Sequence, residues 1–111
     1  MHNTVFTQVE GVVDGSQLHA HQDRLRSDPA FQPDMQELMD CTGLKDARLK
    51  TIANTLLEKD SPWEKEARRA IVVSNPLAFG LLRIFQTIMR DVHGEIIIFR
   101  DMESAKVWLD L

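Results

Sequence analysis

The chain has 111 residues, 43% hydrophobic and 27% charged, the balance of one soluble globular domain spanning residues 1–111. That balance excludes disordered and fibrous classes. The net charge of −4 argues against a dedicated nucleic-acid binder, which needs a concentrated basic face.

Residues 4–13 place Val5, Thr7, Val9 and Val13 on one side and Phe6, Gln8, Glu10 and Val12 on the other. Such alternation predicts a half-exposed strand. Asp14-Gly15 turns the chain, and Ser16 is the expected N-cap of a helix over 17–27, with Leu18 and Leu25 inward and Asp28-Pro29 as its stop. A second strand is expected over 36–41, ended by Thr42-Gly43. A helix over about 45–59 follows, with Leu49, Ile52, Ala53, Leu56 and Leu57 as its inner stripe.

The third strand is expected over 69–74. Asn75 then caps a helix whose first residue is Pro76, running to about Arg90. Residues 95–99 form the fourth strand, and Asp101 caps a last helix ending near Asp110. This β-α-β-α-β-α-β-α order predicts an α/β domain with a four-stranded, mainly parallel sheet. The unalternated runs 70–73 and 96–99 are expected on the most buried, interior strands.

In a parallel sheet the strand C-terminal ends share one rim, where open α/β folds bind ligands. Asp40, Thr42, Gly43, Ser74 and Asn75 fall on that rim, with Asp14, Gly15, Ser16 and Asp101. Each has a plain alternative as a turn or cap residue. Asn75-Pro76 likewise opens either an anion-binding helix N-terminus or an ordinary cap.

In the helix after Pro76, Leu77, Ala78, Leu81, Leu82, Ile84, Phe85, Ile88 and Met89 share one broad apolar side. Phe79 falls opposite, with Arg83, Gln86 and Arg90. Phe79, Arg83 and Arg90 are therefore the candidate contact surface, for a protein, a lipid surface or a second copy of the chain. The alternative is that Phe79 folds back over the sheet edge. Trp63 poses the same choice between contact and loop plug.

Catalytic and metal chemistry find little support. His19 and His21, two apart on a helix, point away from each other and cannot share one ion. Cys41 has no nearby cation in the sequence and falls on a strand, as a small buried hydrophobe would. Neither a glycine-rich phosphate loop nor a serine elbow is present, so no cofactor and no enzyme activity are expected. A lone cysteine suits a reducing compartment, and no apolar run approaches a membrane span. The expected location is the cytoplasm, with peripheral membrane contact left open.

Three stretches resemble a known family. Leu38-Met39-Asp40-Cys41-Thr42-Gly43-Leu44 resembles the D-S-S-G-L strand end of STAS domains, the fold of SpoIIAA anti-sigma-factor antagonists. Residues 67–85 resemble the third strand and helix of the SpoIIAA-like family of short bacterial proteins. Residues 97–101, with Ser104-Ala105 and Trp108-Leu109, resemble that family's ending. The chain departs from the pattern in having Cys-Thr for Ser-Ser, and room for only one strand before its first helix.

The resemblance implies a β-α superhelix used for regulation through protein contacts, with Thr42 at the position of the phosphorylated Ser. Some relatives are compared with CRAL-TRIO domains, which implies an apolar ligand and membrane contact instead.

Overall fold

A computed structural model describes residues 3–48, 61–93 and 95–111. Four strands form one sheet in the order β1-β2-β3-β4, every neighbouring pair parallel. They are β1 (Thr4–Val13), β2 (Gln36–Ala47), β3 (Arg69–Val72) and β4 (Ile96–Phe99). Three helices are described: α1 (Gly15–Ser27), α2 (Pro76–His93) and α3 (Met102–Trp108). The helix expected over 45–59 falls mostly on 49–60, outside the described residues; residues 45–47 are still strand.

Local chemistry sets the helix starts. Asp14, not Ser16, caps α1: it accepts from the Gln17 N–H at 3.0 Å, while Gln17 Oε1 accepts from the Asp14 N–H at 3.0 Å. Each satisfies a backbone donor the helix would otherwise leave open. Asp101 caps α3 in the expected way, accepting from the Ser104 N–H at 2.8 Å.

Two expectations about strands are corrected. Thr42-Gly43 does not end β2, which runs on to Ala47 beside β1. Gln8 pairs with Asp40 but Glu10 pairs with Gly43, so Cys41 and Thr42 together face Val9. That is a β-bulge, which absorbs an extra residue and lets pairing continue. A second shift lies between Gly11 and Val12, where Gly11 takes a φ of 73°, a left-handed conformation that favours glycine. The other correction concerns β4, which is an edge strand, the interior positions belonging to β2 and β3. Its unbroken apolar run reflects helices on its two faces rather than strands on its two sides.

One face of the sheet carries Leu38, Ala70 and Val72, packed on Ala105 and Leu109 with Phe99, Met102 and Trp108 around them. The opposite face carries Met39, Cys41, Val73, Ile96 and Ile98, covered by Phe79 and Leu82 of α2. A third cluster joins Leu25 of α1 to Trp63 and Ala67, with Val5, Phe31 and Met35 against it. Trp63 is thus a buried plug, its ring edge-on to Phe31 at 4.9 Å.

Candidate functional site

Strand β3 stops at Val72, opposite Asp40, whereas β1 and β2 continue as a two-stranded ribbon. The rim is therefore a step, and the bulge puts Thr42 on it. Thr42 is exposed and donates to Asp40 Oδ1 twice, from its backbone N–H at 2.9 Å and its hydroxyl at 2.6 Å. These bonds hold the Asp40 carboxyl below its ordinary range, hydroxyl first and backbone second. The Ser74 hydroxyl donates toward the Thr42 carbonyl at 3.4 Å and ties the end of β3 to the ribbon. Gly43 follows Thr42; a Cβ there would lie 3.0 Å from Glu10 Cγ, so the bulge is tight.

Asn75 closes the step by capping α2, accepting from the Ala78 N–H at 3.4 Å and, through its carbonyl, from the Phe79 N–H at 2.9 Å. The five rim candidates, Asp40, Thr42, Gly43, Ser74 and Asn75, thus gather where β3 ends beside the middle of β2. Thr42 does not cap a helix, because the residues after it, up to Ala47, continue the strand beside β1.

The expected contact surface is rearranged. The stripe of α2 that faces the sheet runs through Phe79, Leu82 and Gln86, and Ile84 points outward at 61% exposure. Phe79 is half-buried against the sheet rather than opposite the core. Gln86 also points inward, its Oε1 accepting from the Ile98 N–H at 3.2 Å. Phe79 still meets arginines: Arg100 lies 4.3 Å and Arg83 5.7 Å from its ring centroid. The side chain of Arg90 lies outside the described residues.

A buried charged group farther down the sheet was not foreseen. Glu37 and Arg69 are neighbours in register on β2 and β3. Arg69 Nε donates to Glu37 Oε1 at 3.2 Å, and the Thr7 hydroxyl donates to Oε2 at 3.2 Å. His21 of α1 brings Nε2 to 3.4 Å from the same Oε2. Burial opposes the charge on Glu37, but Arg69 and then His21 outweigh it and hold the carboxyl below its ordinary value. Trp63 lies 5.0 Å from the Arg69 guanidinium, whose Nη1 is buried without a hydrogen-bond partner among the described residues. The signal available in the sequence was one charge at the start of each of two apolar strands.

His19 turns elsewhere, its Nδ1 3.2 Å from Asp23. No group of three or more His, Cys, Asp or Glu among the described residues is arranged to hold a metal ion. Cys41 is buried and its thiol is pushed up to about 12, by burial first and then by Glu37 and Asp40.

No protein-family model and no curated protein matches the chain. Among solved structures it is similar to an uncharacterized DUF3478-family protein with a SpoIIAA-like fold from Shewanella loihica PV-4. The match has 21% identity and a TM-score of 0.58, covering 92% of this chain and 80% of that one. The chain therefore has a SpoIIAA-like α/β fold built on a four-stranded parallel sheet. No helix among the described residues is long and apolar enough to cross a membrane.

Proposed function

We propose that this protein is a non-enzymatic, cytoplasmic regulatory or ligand-binding module that works through protein contacts at the rim of the sheet. The observation that carries the reading is the Thr42 bulge, an exposed hydroxyl held 2.6 Å from the Asp40 carboxylate. Phosphorylation of that hydroxyl would remove the proton it donates. It would also place roughly −1.5 to −2 charges against Asp40, so the bulge would have to open. The carbonyl of Thr42 is tied to Ser74, so such a change would reach the end of β3 as well. A non-enzymatic role agrees with Cys41, whose thiol stays protonated near neutral pH, and with His21, which is engaged at the buried Glu37.

The competing reading is an apolar-ligand carrier at a membrane surface. It draws on Phe79 with Arg83 and Arg100, but the half-burial of Phe79 removes the free anchor it needs.

Affinity capture with wild type, Thr42→Ala and Thr42→Asp as baits tests the proposal. All three are expected to fold, and a partner held by wild type and Thr42→Ala should be lost from Thr42→Asp. Identical captures by the three baits would refute the switch. Sedimentation of the wild type with anionic vesicles would favour the competing reading.

A further inference from the structure

The two edges of the sheet are finished differently. In a strand, alternate residues turn their N–H and C=O toward the same neighbour. On β4, Glu95 and Phe99 accept from β3, so the backbone groups of Ile96 and Ile98 point outward. Gln86 of α2 meets that edge by accepting from the Ile98 N–H at 3.2 Å. On β1, Asn3 accepts from the Gln36 N–H, so Thr4, Phe6 and Gln8 point outward. Their backbone groups have no hydrogen-bond partner among the described residues.

The side chains on this open edge do not protect it. Bare edges are ordinarily blocked by lysine, proline, bulges or a covering element. Residues 4–8 contain neither lysine nor proline, and the bulges begin only beyond Gln8. Phe6 is 68% exposed, on the face covered by α3, whose buried Ala105 and Leu109 pack over β2 and β3. Glu10 is the one charge in β1, and its carboxylate accepts from Gln8 Nε2 at 2.9 Å.

We infer that the outer edge of β1, residues 4–8, pairs with the same edge of a second copy of this chain. The occupant follows from charge and symmetry. Two chains of net charge −4 repel, and residues 4–8 are an uncharged strip along which they can meet. Antiparallel pairing about a two-fold axis is self-complementary and closed, and it satisfies each outward donor with the partner's acceptor. It makes one sheet of eight strands and brings the two Phe6 rings to the same face, where they cover each other. Pairing of β1 with the β4 edge of another copy would instead propagate without closing, and Gln86 obstructs it.

Sedimentation equilibrium over a wide concentration range reads the mass directly. Wild type is expected at twice the 12.7 kDa chain mass. Gln8→Pro removes an outward N–H without touching the β2 ladder, a position where an edge strand accepts proline. Phe6→Lys places a charge on each side of the axis. Both variants are expected to sediment as single chains. A wild type that stays a single chain at all concentrations overturns the inference, as does a dimer that survives both substitutions. Amide exchange on the wild type checks the result without any variant. Phe6 and Gln8 amides should slow as concentration rises while Thr7 is slow throughout, and concentration-independent exchange at Phe6 and Gln8 overturns the inference.

Discussion

Replacing Glu37 with glutamine tests the buried charged group, because the change keeps the size and removes only the charge. Glu37 is fully enclosed, and its partners Arg69, Thr7 and His21 all lie within 3.4 Å. In Glu37→Gln, the 4%-exposed Arg69 keeps its charge but loses the Glu37 carboxylate, and its Nη1 already lacks a hydrogen-bond partner among the described residues. Breaking a buried ion pair from one side costs about 3–5 kcal/mol. The Trp63 ring, 5.0 Å from the guanidinium, remains and offsets part of that, so a loss of about 3 kcal/mol is expected. Domains have about 5–15 kcal/mol in all, so the urea midpoint should fall visibly at pH 7.

The acid limb supplies the sign. Because Glu37 titrates below its ordinary 4.5 in the folded state, its contribution is present above that value. It is lost as pH falls through the lowered folded value, so the gap between wild type and Glu37→Gln should narrow on acidification. A loss under about 1 kcal/mol at pH 7, or a gap that does not narrow, refutes this account. Replacing both residues at once, Glu37→Met with Arg69→Leu, should cost much less than Glu37→Gln alone, since no unpaired charge remains.

Two further outcomes follow from the same packing. The Cys41 thiol, buried and near 12, should resist a thiol-specific reagent at neutral pH until the protein unfolds; rapid labelling of the native state would contradict its placement. Phe79→Ala should destabilise by about 1–3 kcal/mol in urea unfolding, less than the ~3–5 kcal/mol for a fully buried aromatic, because the ring is half-buried; a cost near zero would mean that the ring does not pack on the cluster of Met39, Cys41, Val73, Ile96 and Ile98.

The tight Thr42–Asp40 contact explains why the rim was partly legible. Small polar residues can be read as strand ends; Ser74 and Asn75 do follow the end of β3, whereas Asp40, Thr42 and Gly43 lie inside β2 at the level where β3 stops. The bulge could not be read, since it exists only relative to Val9 on another strand. Phe79 shows the same limit: a 100° helical wheel set it opposite the apolar side, but it packs on the sheet with Leu82, and Gln86 beside them reaches the Ile98 N–H.

The sequence by itself determined the order of the described strands and helices, the caps at Asn75 and Asp101, and the half-exposed character of β1. Each of these depends on groups a few residues apart, whose periodicity and hydrogen bonds are encoded locally. Only the tertiary structure decided that β4 lies at an edge, that β2 runs on to Ala47, and that Glu37 meets Arg69 and His21. Those outcomes depend on which strand lies alongside and in what register. The energy that settles register comes from burial and charge pairing between segments more than fifteen residues apart, as at Glu37 and Arg69, where |i−j| is 32.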